Sequence, residues 1–485
     1  MSSTDRSRLS VSRAILTLLV AGLLLTLHSS WGTYSDLWQR AETHLANGER
    51  TSAVAAYEAL MGLRPRNPMP CLALAEVYLG WGRPGEALEA LSEAEARGAK
   101  SVEVAKLRAF VQALRAERSV DERVSSWAEA AEYGERAIAL GASGVELHEL
   151  VARAHLASRD WSAAAATYEA ILRVDPRHDI ANERMGALLV GLEPGADDHL
   201  LTAGTDLAGR LLEALDESAG PKSPSETHAA VGRVLFRDRA WALAARHLEL
   251  AVEDDAADGE LQAYLGHAWD QMGYQEEARQ YLLKAVESSP GLVLSRTFLG
   301  LHYDRWGNVA AARTAYEKAY DLDPESAALC LEIGQTWAVE GRYVAAEVWL
   351  REAVSLSPDS PAVWEALARF YLDNHIVSNN RAVEATERLL ALVPNEAEAH
   401  DLRGWAAIQT GAYGAAETYL GRALELEPDL ASAYHHLGLL REAQGRGEDA
   451  ARAFQRAIDL DTEGALTGLI ERSRGHSGEG RLHLS

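Results

Sequence analysis

The chain has 485 residues, a formal net charge of −25 and two cysteines. An acidic balance of that size repels phosphates and anionic headgroups, which argues against a nucleic acid or an anionic lipid surface as the main partner. Cys71 and Cys330 lie hundreds of residues apart and make no disulfide framework; burial as small apolar side chains accounts for both.

In chain order, the first element is a basic flank with Arg6, Arg8 and Arg13, followed by the uncharged run Ala14–Leu27. A basic flank ahead of an apolar run keeps the N-terminus in the cytoplasm and sends the downstream chain across the membrane. Residues 1–33 are therefore expected to act as a signal-anchor or as a signal peptide. The run is short for a span, Ala14–Trp31 is adequate if its last polar residues lie at the interface, and no A-x-A cleavage site comes after it. Trp31, Tyr34 and Trp38 can form an interfacial anchor, although Trp38 equally fits the core of the first repeat. The rest of the chain is expected on the extracytoplasmic side, membrane-anchored or released. The Arg excess, 42 against 5 Lys, points to a GC-rich bacterial genome.

Beyond residue 33 the sequence repeats. Gly232, Gly266, Gly300 and Gly334 recur every 34 residues, as do Ala244, Ala278, Ala312 and Ala346, and Pro290, Pro324 and Pro358. Ala, Leu, Glu and Arg dominate and no alternation of strand period appears, so the unit is a pair of helices. The glycine is expected where two helices cross, with the alanine facing it, and the proline stops the second helix. One unit reads Leu299-Gly300, Tyr303, Gly307, Ala312, Tyr316, Ala319 and Pro324. This resembles the tetratricopeptide repeat.

The resemblance implies an all-α fold: an α-solenoid of about twelve helix-turn-helix repeats wound as a right-handed superhelix. The repeats are degenerate over 34–224, where Ala41, Ala75 and Ala152 replace the glycine and Arg108 stands in its place in the third unit. Insertions fall near Arg115–Arg123 and Gly191–His199 and read as lengthened helix ends or loops. Repeats are regular over 225–464, and 465–485 reads as a short cap and tail. Because each solenoid repeat touches only its neighbours, the two blocks are expected to unfold separately and the particle to be elongated.

No H-E-x-x-H, C-x-x-C, G-x-S-x-G, P-loop or dinucleotide fingerprint occurs. The histidines fall at packing places and no second ligand recurs with them, so no enzyme activity, metal, cofactor or small-molecule substrate is inferred. In the resembled family the first helices line the concave face. That lining is mainly apolar early in the chain and polar from Ser225 onward. Arg233, Arg237, Arg305, Arg369 and Trp405, with His267, Asp270 and Asp304, are the expected peptide-binding strip, because Arg and Trp are enriched in binding hot spots. The Lys and Asn clamp of chaperone-binding relatives is missing, as is a cysteine-bearing metal tail. The expected role is a protein-binding scaffold in a bacterial envelope complex. The alternative is an accessory subunit presenting substrate in polymer export or cytochrome maturation.

Overall fold

The structure, a computed structural model, describes residues 33–189, 223–254, 257–374 and 380–462, with 464, 466 and 470. The basic flank and apolar run, the insertion at Gly191–His199 and most of 465–485 lie outside the described residues. Among the described residues no helix is long and apolar enough to cross a membrane.

Regular structure among the described residues is helical, with no strand. Among the described residues, eleven helix-turn-helix units run from the pair 33–46 and Arg50–Leu63 to the pair Ala431–Ala443 and Gly447–Leu460, with the helix Asp179–Leu189 of the fifth repeat standing between the fourth pair and the pair that opens at Pro224. Helix starts obey local chemistry. Ser223 accepts from Glu226 N and Glu226 accepts from Ser223 N, a reciprocal cap that opens Pro224–Arg237 with proline in its first turn. Asp258, Asn308 and Ser326 each cap the next helix by accepting from its first-turn backbone.

The repeating glycines sit at helix crossings, but against a different partner from the one expected. A Cβ on Gly266 would come within 2.7 Å of Leu282, and one on Gly300 within 2.4 Å of the Tyr316 ring. The facing residue is thus the large side chain sixteen places on, and the missing Cβ makes room for it. The alanines at the other phase, such as Ala278 and Ala312, are fully buried beside it. The insertion near Arg115–Arg123 is a lengthened helix, Ser101–Arg118, packed along Arg123–Ala139. Cys71 and Cys330 are both buried and free. Trp38 is packed edge-on against Tyr57, their ring centroids 5.3 Å apart, within the first repeat.

Contacts are not confined to neighbouring repeats, contrary to the expectation for a simple solenoid. Arg123 Nη1 donates to the carbonyl of Gln271 at 2.6 Å, and Tyr274 Oη donates to the carbonyl of Ala157 at 3.1 Å. Arg159 stacks on Trp269, 4.3 Å from the ring centroid, and lies 3.4 Å from Glu249. The third and fourth repeats are thereby fastened to the sixth and seventh.

The two ends of the described chain also meet. Thr51 gives Asp459 two hydrogen bonds, from its backbone N at 3.1 Å and its hydroxyl at 2.6 Å. Arg50 donates to the Asp459 carbonyl at 2.9 Å, and Trp81 Nε1 to the Ile458 carbonyl at 3.2 Å. Trp81, Phe454 and Ile458 form one buried cluster there. The solenoid is closed on itself.

Candidate functional site

In most repeats the turn between the two helices uses a residue in the left-handed region, and glycine adopts it at Gly82, Gly273, Gly307, Gly341, Gly411 and Gly445. Arginine takes that place in two repeats, with φ 64° at Arg159 and 58° at Arg239, and Asn380 has φ 55°. A side chain in that conformation costs about 1 kcal/mol. Arg159 uses its side chain on Trp269 and Glu249, fastening the blocks. Arg239 lines a cavity.

That cavity has a volume of about 820 Å³ and lies on the inner face of the third to fifth repeats. Its floor is apolar and aromatic, with Phe110, Leu114, Trp127, Leu150 and Tyr168. Arg239 and Ala240 of the sixth repeat's turn, the helix start Trp241–Leu243 and the helix end Gln271–Met272 of the seventh repeat close it from the other side. It exists because the blocks are fastened together. Arg153 pairs with Glu117 at 3.1 Å and lies over the Trp127 ring. Glu149 lies 3.3 Å from His178. Arg184 stands 4.0 Å from the adjacent Glu183. Burial pushes the Tyr168 hydroxyl up to about 12, so it stays a neutral donor and acceptor at any physiological pH.

A second hollow of about 620 Å³ lies on the inner face of the first three repeats. Trp38, Tyr57, Leu72 and Leu107 line it, with Glu42, Glu76 and Glu103. Tyr57 Oη donates to Glu42 at 2.7 Å.

The strip expected on the second block is differently arranged. Asp270 is fully buried, accepting from His302 Nδ1 at 2.7 Å and Trp306 Nε1 at 2.9 Å. Arg305 Nε stands 2.7 Å from its other oxygen, outside hydrogen-bond angles, so that contact is ionic. Burial alone would raise the Asp270 carboxyl, yet the His302 and Trp306 hydrogen bonds and the Arg305 charge hold it below its usual range. Asp270 and Arg305 are a structural knot and not a solvent-facing pair. His267 is buried and stacked on Phe298, 4.2 Å between centroids, and burial depresses its pKa to about 4. Arg233 is paired with Glu260 at 3.0 Å, and Arg369 with Glu365 at 2.8 Å and Glu398 at 3.5 Å. Trp405 is half-buried and stacked on His436, which Asp401 holds at 2.7 Å. Arg237 and Asp304 are exposed.

Sequence reasoning missed the cavity because it arises from contacts between distant repeats. One signal was available: arginine at residues 159 and 239, where seven other repeats have glycine. Among the described residues there is no group of three or more His, Cys, Asp or Glu side chains able to hold a metal.

Tetratricopeptide repeat family models match residues 44–109 and 307–370, 151–190 and 402–465, and 264–291, together more than half of the chain. The chain is a tetratricopeptide repeat protein. No curated protein matches the sequence. Among solved structures it is similar to yeast Tom70, at 16% identity over 92% of this chain and 96% of that one, TM-score 0.40. It is also similar to a tetratricopeptide repeat protein from Parabacteroides merdae, at 16% identity over 52% and 98%, TM-score 0.43. Likewise it is similar to pilF of Pseudomonas aeruginosa, at 22% identity over 46% and 99%, TM-score 0.37. Tetratricopeptide repeat proteins generally mediate protein–protein interactions.

Proposed function

We propose that this protein is a non-catalytic scaffold that holds an extended segment of a partner protein in the cavity between its two blocks. The observation that supports this reading is the cavity itself. Its size suits a ligand site, its lining is aromatic and apolar, and a few charged groups stand at its edge. By contrast, most of the second-block arginines already have partners within the chain, so a ligand there gains only by replacing existing ion pairs.

The basic flank at Arg6–Arg13 and the apolar run after it favour an extracytoplasmic location, tethered or released, and so a role in an envelope complex. A reporter active only outside the cytoplasm, fused after Ser485, is expected to be active. An inactive reporter contradicts export.

Binding is tested with the purified full chain and a partner recovered from envelope extracts. Ile180 lines the cavity and is 53% exposed, so Ile180→Glu leaves the fold intact while placing a charge among the ligand's apolar contacts. It is expected to weaken the partner about tenfold or more, whereas Arg369→Ala leaves affinity unchanged. Loss of binding in Arg369→Ala with none in Ile180→Glu returns the site to the second block.

A further inference from the structure

The lengthened helix Ser101–Arg118 lies under both hollows. Glu103, Lys106 and Leu107 line the outer one, and Phe110, Leu114 and Glu117 line the inner one. Their spacing of three and four places them on one face of that helix. Glu103 to Glu117 is about 21 Å at the rise of an α-helix, a distance an extended chain covers in about seven residues. The two hollows follow one another along one face of the same helix.

The charges along that face differ in sign. The outer hollow is lined by the carboxylates of Glu42, Glu76 and Glu103 and by Arg50 and Lys106, with Glu103 3.7 Å from Lys100. Arg50 is turned away to the Asp459 carbonyl, and Glu76 is exposed. In the inner cavity the Arg153 and Glu117 charges cancel. The rest of the lining holds Arg184 and Arg239 with Glu146 and Glu149; Arg184 is 4.0 Å from Glu183, Glu149 is 3.3 Å from His178, and Arg123 is turned to the Gln271 and Ala116 carbonyls. Arg239 is held there in a backbone conformation that glycine adopts in the neighbouring repeats, which marks its side chain as the reason for the residue.

We infer that the ligand is one extended peptide segment lying across both hollows, with a basic end against Glu42 and Glu76, an apolar middle, and an acidic end against Arg184 and Arg239. This rests on the cavity reading above and adds polarity to it. Opposite charges at the two ends fix the direction of the segment and reject uniformly charged ones.

The test uses the full-length protein and fluorescein-labelled synthetic peptides about ten residues long with one shared aromatic and aliphatic middle. Their ends are Arg and Glu in either order, Gln at both, Arg at both, or Glu at both. One of the two dipolar peptides is expected to bind about tenfold tighter than the other four. Glu76→Arg should move the preference to the peptide with Glu at both ends, and Arg239→Glu to the one with Arg at both ends. Both positions are exposed, so neither change disturbs packing. Equal binding of dipolar and Gln-ended peptides, or preferences unmoved by the two reversals, overturns the polarity while leaving the cavity reading intact. If Ile180→Glu leaves the binding of every peptide unchanged, or no peptide binds, the cavity reading falls with it.

Discussion

The block 225–462 keeps the 34-residue spacing in all but one unit and the crossing glycine at Gly232, Gly266, Gly300, Gly334, Gly404 and Gly438, and Arg233, Arg305 and Arg369 on its first helices are paired within the chain. The block 33–189 loses the crossing glycine in several units, lengthens one helix pair and puts arginine at the Arg159 turn. The hollows open on this second kind of repeat. Regular repeats devote their sequence to stacking, so their inner face is already satisfied. Departures from the pattern free positions to fasten distant repeats and to shape a cavity.

Acid should produce the largest contrast. Burial depresses the pKa of His247 to about 3 and of His267 and His435 to about 4, from 6.5. His247 Nε2 donates to the Ala187 carbonyl at 2.8 Å, which leaves its Nδ1 to accept from His228 at 2.9 Å. Above pH 6.5 these rings are neutral whether the chain is folded or unfolded. As pH falls below 6.5 the unfolded chain takes up protons that the folded one refuses, so stability declines down to about pH 4 and, for His247, about 3. The combined loss is on the order of several kcal/mol. All three lie in the regular block. Hydrogen exchange measured from pH 7 to 4 should find that block opening first; uniform protection across the range counts against the burial of these rings.

Next comes Asp270→Ala, which strands His302 and Trp306 Nε1 without their shared acceptor and Arg305 without its counter-charge. It should cost about 4 kcal/mol by chemical denaturation, and a loss below about 1 kcal/mol contradicts the buried knot. Gly300→Leu forces a side chain into the Tyr316 ring and should cost about 3 kcal/mol. The same test at Ala152 is milder, since a Cβ is already accommodated there.

Much of the fold is legible in the residues themselves. The 34-residue phase marks out the helix pairs, and glycine at Gly266 and Gly300 marks the crossings. The identity of the facing residue is not legible, because Leu282 and Tyr316 occupy that place by geometry and not by any small-residue signal. Nor is the burial of Asp270 and His267: a charged residue on a first helix reads as solvent-facing until a neighbouring repeat is known to bring His302 and Phe298 against it. The closure at Thr51 and Asp459 depends on the accumulated rotation of all the repeats, which no local pattern states.

The end-to-end closure carries a smaller effect. Asp459→Ala removes the acceptor of two Thr51 hydrogen bonds and should cost about 2 kcal/mol, with an increase in radius of gyration by X-ray scattering as the ends part. An unchanged radius shows that the apolar cluster of Trp81, Phe454 and Ile458 holds the ends unaided. Smallest of all, Arg239→Gly relaxes the turn and should stabilise the fold by about 1 kcal/mol while weakening the ligand. A destabilised variant contradicts the view that Arg239 is kept for its side chain at the cavity.

The cavity has a second wall only if the two blocks are fastened face to face. Pulsed electron resonance can measure this directly, with spin labels at the exposed positions Ser125 and Gln275 and with Cys71 and Cys330 replaced by alanine. A single short and narrow distance is the predicted result. A broad distribution extending to long distances, as in an open solenoid whose blocks move apart, contradicts it.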